Sequence, residues 1–408
     1  MNILFLNQNF QPEPMFKGLP LVDAFRKRGH HVEVLTTFPN YPGGKIYPGY
    51  RQKLWQHEWL NDTKINRVPL VPNHSRSGIR RILSYASFGL SAFLASPFLV
   101  KKPDLIYIYN LITLVPAARL LRLLYGSRIV LDIQDLWPES VASSGMMQSA
   151  LSLKLLKYFC RYQYMRADRL VVLSPGFKRN LVDRGIPESK VDVVYNWCDE
   201  SSITVPMPDA EMSKRFGLAG RFNIVFAGTM GVMQALDCVV EAARKLQHSD
   251  PKILFTFIGG GIEIDRLKAL SADLLNVQFL PALPQNEIGN VYSNSDVLLV
   301  HLKDDPIFRI TVPSKIQAYL YAGKPILCGV RGDASDLIVE SKSGLIFNPE
   351  DSDSLVSAVK SLYCMTAQDR IRMGESGRRF YHDTLSMSHG IDQLESVFHS
   401  AYASRKNK

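Results

Sequence analysis

Short, fully apolar runs alternate with helical segments from end to end of this 408-residue chain, in two successive series. The first series is NILFLNQ, HVEVLTT, DLIYIYN, RIVLDIQD, RLVVLS and KVDVVYN, and the second is FNIVFAG, ILFTFIGG, VQFLPAL, DVLLVHL, KPILCGV and SGLIFN. A strand that is apolar at nearly every position has to be buried on both faces, which a parallel sheet covered by helices on each side provides. Each series has its own first strand and glycine turn. The expected fold class is therefore α/β, with two Rossmann-like, doubly wound parallel-sheet domains facing a cleft. The Pro- and Ser-containing stretch NWCDESSITVPMPDAEMSK reads as the linker between them. These signals predict a first domain over 1–196, a second over 197–380, and a C-terminal helix within 381–408 that crosses back to the first.

Composition narrows the setting. Hydrophobic residues are 46% of the chain and charged residues 21%, which suits a globular protein rather than a disordered one. The opening MNILFLNQNF reads as a buried strand, so no secretory signal is expected. Five scattered cysteines (Cys160, Cys198, Cys238, Cys328, Cys364) form no C-x-x-C pair and predict a reducing, cytoplasmic location. Charge is uneven: residues 1–198 hold 26 Lys and Arg against 13 Asp and Glu, whereas 199–408 hold 22 against 25. A basic half suits anionic substrates or an anionic membrane surface. No helix-turn-helix, zinc-finger or RNP-like pattern is present, so nucleic acid is not an expected partner. Residues 82–100 are uncharged and flanked by Arg80-Arg81 and Lys101-Lys102, about the length that crosses a bilayer. Four serines, a glycine and a proline dilute the stretch, and a strand follows at once. It reads better as a helix of the soluble domain that touches a membrane surface.

Ligands of open parallel sheets sit beyond the carboxyl ends of the strands, so the loops after each strand carry the candidate chemistry. FAGTMG (Phe226 to Gly231) leads from the first strand of the second series into a helix, and its glycines admit a phosphate to backbone N–H groups. FIGGG (Phe257 to Gly261) follows the next strand, and Pro281 and Pro284 stiffen the loop after that. FRITVPSKIQAYLYAGKPILCG (308–329) is the strongest local signal: Thr311, Val312, Pro313 and Ser314 read as a helix start with Ser314 or Thr311 as cap. Amides at that end together with Lys315 suit a diphosphate, and Gln317 lies within reach of a ribose hydroxyl. Each of these loops, taken alone, is equally well an ordinary turn or capped helix. The D-x-D of Asp351 to Asp353 reads as a helix cap, while Asp304-Asp305 lies nearer the proposed site. With no H-E-x-x-H, Walker loop, G-x-S-x-G or zinc spacing, no metal and no cofactor beyond a nucleotide-sugar substrate is expected.

Taken together, RGHHVEVLTTFPNYPGG (28–44), LDIQDLWPES (131–140), LSPGFKRNLVDRGIP (173–187), VVYNWCD (193–199), FAGTMGVMQALD (226–237) and VPSKIQAYLYAGKP (312–325) resemble, in order and spacing, the family 4 retaining glycosyltransferases of the two-domain GT-B fold. The likeness covers almost the whole chain and is strongest to the branch that builds bacterial O-antigen and capsule, such as the N-acetylfucosaminyl transferases. The resemblance implies transfer of a sugar, with retention, from a UDP-sugar to a lipid-linked saccharide at the inner face of the cell membrane. It implies that Lys17 and Gly18 approach the donor diphosphate or the acceptor. Asn110 stands where many relatives have a histidine near the reacting sugar, with Asp135 beside it. Gly228, Thr229, Gly231, Gln234, Gly260, Leu283, Lys315 and Gln317 then line the donor side. The family's two glutamates, eight positions apart, fall on Arg309 and Gln317; a glutamine still binds ribose, but an arginine cannot replace the first glutamate at the sugar. The family's arginine and lysine after the FAG strand are also absent, and Lys315 and Arg309 are expected to supply that charge. Two other readings share the sequence signals: a nucleotide-sugar epimerase of the same fold, and a non-catalytic sugar-nucleotide or membrane-binding protein.

Overall fold

The structure, a computed structural model, describes residues 1–73, 78–143 and 149–403. Its contacts divide the chain into one unit of residues 1–194 with 391–408 and a second of residues 195–390. Each unit is a doubly wound α/β sheet, the class that the apolar runs require.

The first unit contains β1 (Asn2–Leu6), β2 (His31–Thr37), β3 (Gln56–Leu60), β4 (Thr63–Val68), β5 (Leu105–Tyr109), β6 (Arg128–Ile133), β7 (Arg169–Val172) and β8 (Val191–Val193). Their order is β3-β4-β2-β1-β5-β6-β7-β8, parallel throughout except for β3, which pairs antiparallel with β4. The β3–β4 hairpin was not legible from apolar runs. Its strands carry Gln56, Glu58, Lys64, Asn66 and Arg67, so it reads as loop, while Asn61 and Asp62 at its tip both have positive φ (44° and 59°). That backbone is the tight turn that Asn and Asp tolerate and that matches the twist of a hairpin.

Right-handed crossovers decide which face each helix covers. The step from β1 to β2 runs one way and puts Leu19–Lys27 on one face. The steps β4 to β5, β5 to β6 and β6 to β7 run the other way, so helices Gly78–Leu99, Val115–Tyr125 and Ala150–Arg166 share the opposite face. The helix Met387–Ala403 joins Leu19–Lys27, where Phe398 stacks on Phe25 at 5.0 Å between ring centroids.

The second unit holds β9 (Phe222–Ala227), β10 (Ile253–Ile258), β11 (Val277–Leu280), β12 (Val297–His301), β13 (Ile326–Gly329) and β14 (Gly344–Ile346) in the order β11-β10-β9-β12-β13-β14, all parallel. β9, β10, β12 and β13 are buried at every position, sandwiched between two apolar clusters. Strand order reverses between β9 and β12, and in the first unit between β1 and β5. Those are the points where an open sheet splits its loops to leave a crevice.

Candidate functional site

In the first unit, candidate groups gather at the ends of β5 and β6. Asn110 follows β5 in the left-handed region (φ 56°), a conformation asparagine adopts more readily than most residues. Its Oδ1 accepts from the backbone N–H groups of Gln134 and Asp135 at 3.1 Å each, and its Nδ2 donates to Asp135 Oδ2 at 2.8 Å. Asn110 thus holds the loop after β6 and aims the exposed Asp135 carboxylate. Behind this pair lies a wholly buried group: Asp132 accepts from Lys17 Nζ at 2.8 Å and from the Tyr107 hydroxyl. Burial, and then Asp132, holds the Tyr107 phenol well above its usual range. Lys17, expected beside the donor or acceptor, is 0% exposed and pins the loop after β1 from below. Gly18, next along, starts the helix Leu19–Lys27; a Cβ there would meet Gln11 Oε1 at 2.4 Å, the same oxygen that accepts the Leu19 N–H.

In the second unit the loops after β9 and β10 interlock through glycines. A Cβ on Gly259 would lie 2.2 Å from the Gly228 carbonyl oxygen and one on Gly261 2.1 Å from that of Met230, whereas Gly260 faces open space. The Met230 N–H donates to the Gly260 carbonyl at 2.8 Å. Thr229 is exposed at the crest of this loop. Gln234 turns inward, its Oε1 accepting from the Gly231 N–H at 3.0 Å.

Lys315 stands beside Gly228. Its Nζ lies 4.6 Å from the Phe226 ring centroid, and a Cβ on Gly228 would come within 2.9 Å of it. Burial lowers its ammonium pKa from the ordinary 10.5 to about 8. Among the described residues no carboxylate pairs with it, so the desolvated charge has no protein counter-ion. The helix Ser314–Ala322 that carries it is fixed to the end of β9, where the Ala227 N–H donates to the Tyr319 hydroxyl at 3.1 Å. Pro313 occupies the cap position and no side chain caps this helix, contrary to the expectation for Ser314 or Thr311; Thr311 instead donates to the Ile307 carbonyl at 2.7 Å. The Ile316 N–H donates to the Pro313 carbonyl at 3.0 Å, and the amides of Ser314 and Lys315 ahead of it are left for another acceptor.

The remaining candidates do not all converge. Val312 is buried in the apolar core, and Leu283 packs against it from the loop after β11. Gln317 is 2% exposed, and its amide, oriented to suit its neighbours, donates to the carbonyls of Pro313 and Ser314 at 3.0 and 3.1 Å. Arg309 is half-exposed and bonds Asp304 at 3.0 Å, as does Arg331. Asp305 caps the short helix Pro306–Arg309, and Asp351 caps Ser352–Cys364 by accepting from the N–H groups of Asp353 and Ser354.

One positioning residue escaped the sequence. His301, at the end of β12, donates from Nδ1 to the Gln234 carbonyl (2.7 Å) and accepts at Nε2 from the Glu350 N–H (2.9 Å), stacked on Phe347. Burial lowers its pKa, and the Glu350 N–H requires the neutral ring. A lone histidine ending an apolar strand gave no signal of this bridge.

Comparison with known proteins follows the same division. The model of the glycosyl transferase 4-like domain matches residues 19–197, and that of the glycosyl transferases group 1 matches residues 209–380. The Escherichia coli (strain K12) protein named "Putative colanic acid biosynthesis glycosyl transferase WcaI" is 25% identical over 379 residues, covering 88% of this chain and 91% of its own. The "Probable glycosyltransferase WbjE" of Pseudomonas aeruginosa is 27% identical over 243 residues, 59% of this chain and 60% of its own. Among solved structures, Anabaena Alr3699/HepE in complex with UDP and glucose superposes with a TM-score of 0.68 at 14% identity, over 98% of this chain and 100% of that one. At that identity the likeness concerns the fold alone.

Proposed function

Because the chain belongs to the glycosyltransferases built from a 4-like domain followed by a group 1 domain, we propose that it moves a sugar, with retention, from a UDP-sugar to a hydroxyl of a lipid-linked saccharide. The product is a surface polysaccharide such as O-antigen, capsule or exopolysaccharide, assembled on the cytoplasmic face of the membrane. The observation that carries this reading is Lys315: a buried ammonium without a carboxylate, beside the uncapped start of a nine-residue helix and under the glycine turn at Gly228. A diphosphate supplies the missing negative charge to the ammonium and the missing acceptor to the first-turn amides. Colanic acid in the name of the E. coli relative supports the polysaccharide, and UDP in the Anabaena structure supports the base.

Same-face attack fits a retaining enzyme whose leaving phosphate takes the proton of the acceptor hydroxyl. The acceptor oxygen forms the new bond to the anomeric carbon as the bond to the diphosphate oxygen breaks. The protein then has to position the reactants and neutralise charge on the departing diphosphate. Lys315 and the amides of Ser314 and its neighbours take the charge, and the Asn110–Asp135 pair orients sugar and acceptor. In this reading no metal ion takes part in the step.

Thermal unfolding with UDP, GDP, ADP and a panel of UDP-sugars, with and without EDTA, tests the reading. A ligand at 100 times its Kd adds about 2.7 kcal/mol. A UDP shift that survives EDTA and largely disappears in Lys315→Ala is expected, with a fall in transfer rate of roughly 10²–10³. An undiminished UDP shift in Lys315→Ala sinks the assignment of the diphosphate to this lysine.

A further inference from the structure

We infer that His30, Glu395 and His399 form a zinc site that fastens the C-terminal helix Met387–Ala403 to the first unit. All three residues belong to that unit, and the site is independent of the donor reading.

Three side chains that ligate metals converge there. The ligand atoms of His30, Glu395 and His399 all lie within 4.8 Å of one another. His30 Nε2 and Glu395 Oε1 are 2.7 Å apart, and the two imidazole centroids are 6.1 Å apart. Two ligands at ~2.1 Å from a tetrahedral zinc stand roughly 3.4 Å from each other, so small rotations close the set on the ion. His399 is exposed and makes no hydrogen bond among the described residues, so it can turn to complete the set. Sequence spacing does not announce these ligands, because 365 positions separate His30 from Glu395. Only Glu395 and His399 share an element, four positions apart on one side of a helix.

The fold holds the ligands in place. The helix packs through Leu394, Phe398 and Ala401, each no more than 1% exposed, which keeps Glu395 and His399 along its flank. Phe25, on which Phe398 stacks, meets the His30 ring edge-on at 5.8 Å between centroids. His30 itself follows the left-handed Gly29 (φ 83°) and is 8% exposed. Its Nδ1 faces the Met1 nitrogen at 3.4 Å, which leaves Nε2 turned to the carboxylate.

Charge favours a cation at this place. Glu395 Oε2 accepts from Arg28 at 2.6 Å, so Oε1 is the oxygen left for the imidazole side. A hydrogen bond of that kind orients a ligating carboxylate. Arg28 is shared with Asp392, so two carboxylates face one guanidinium and a net negative charge remains beside the two imidazoles. Two imidazoles and one carboxylate are a set that zinc takes with a water in fourth position, whereas calcium and magnesium call for oxygen ligands.

Calorimetric titration of the full chain, stripped with EDTA and dialysed, against zinc chloride tests this. Uptake of one zinc per chain is expected, with a rise in the unfolding temperature of the first unit. Cobalt(II) in place of zinc should give the visible bands of a four-coordinate nitrogen and oxygen site, without the near-ultraviolet band of cysteine ligation. The hydrogen-bonding partners of a ligand are typically worth ~10–100-fold in metal affinity, and a ligand is worth no less. His399→Ala should therefore weaken zinc about 100-fold, and Glu395→Gln, which keeps the side-chain shape, should do the same. Because His399 is exposed, the metal-free unfolding temperature of His399→Ala should match that of the wild type. No zinc uptake by the wild type, undiminished affinity in His399→Ala, or a thiolate band with cobalt overturns the site. Any of these with the UDP shift intact leaves the transferase reading standing, and zinc uptake without any nucleotide shift overturns that reading and leaves the site.

Discussion

At Lys315 the protein provides a cation and withholds its counter-charge, and a pH dependence follows from that. The folded chain holds the ammonium at a pKa of about 8, below the ordinary 10.5, because burial disfavours the charged form. The shift is downward, so between about pH 8 and 10.5 the unfolded chain binds a proton that the folded chain has released. Stability without ligand should rise with pH across that window, and below it the cost of burying the ammonium is present in full and independent of pH. Donor binding runs the other way. A diphosphate favours the ammonium, so UDP affinity should be full below pH 8 and fall about tenfold per unit above it, until the pKa of the complex is reached. Calorimetric titration with UDP at pH 7 and 9 checks this; Lys315→Met should bind more weakly and flatten the profile. A wild-type affinity equal at both pH values rules Lys315 out as the diphosphate's partner. Lys315 was legible because Val312-Pro313-Ser314-Lys315 announces a helix start. What the side chains do there was not legible: Gln317 folds back on the Pro313 and Ser314 carbonyls of its own first turn instead of facing a ligand, and Lys17 disappears under Asp132, a neighbour remote in sequence. Asn110 and Asp135 are 25 positions apart, yet both end strands, and that is why sequence reasoning brought them together.

At the scale of elements, the glycine turns show how far strand-by-strand reading reaches. All six strands of the second sheet were foreseen from their apolar runs, and in β9, β10, β12 and β13 burial at every position leaves no polar alternative. The β3–β4 hairpin was missed because β3 is an edge strand with polar residues that imitate a loop, and β4 beside it interrupts its apolar positions with Lys64, Asn66 and Arg67. Of the glycines of FIGGG the resemblance singles out Gly260 alone for the donor side, and the structure gives the three different work. Gly261 has φ 149° and a Cβ there would meet the Met230 carbonyl at 2.1 Å, whereas Gly260 has a negative-side backbone and open space around it. Gly261→Ala should therefore destabilise the second unit by about 2 kcal/mol or more, combining backbone strain with a forced loop movement. Gly260→Ala should leave stability within about 0.5 kcal/mol. If the donor occupies the space over Gly260, the same alanine weakens UDP binding in spite of an unchanged fold. Urea unfolding and UDP titration of the two variants separate these effects, and equal destabilisation by both would show that the loops do not interlock as described.

At the scale of the whole chain, the two units differ in how they are assembled. The second is one continuous segment, 195–390, containing every strand and both apolar clusters of its own sheet. The first is discontinuous, since residues 391–408 return to it after the second is complete. That returning segment is no ornament to the first core: Phe398 is 0% exposed, stacks on Phe25 and lies 5.5 Å from the Tyr107 ring centroid, while Glu395 accepts from Arg28 and meets His30 at 2.7 Å. Tyr107 in turn donates to Asp132, the buried carboxylate beneath the Asn110–Asp135 pair. Removing the Phe398 ring opens a cavity next to the Tyr107 ring, and a buried Phe→Ala change costs about 3–5 kcal/mol. The loss should fall on the first unit alone. In Phe398→Ala the first unit should unfold at lower urea while the UDP-stabilised transition of the second is unchanged, and transfer should fail where nucleotide binding persists. Near-UV circular dichroism with and without UDP distinguishes the two transitions. A single transition lowered as a whole, with the UDP shift lost alongside it, would mean that nucleotide binding depends on the first unit's core and that the second is not a self-sufficient binding half.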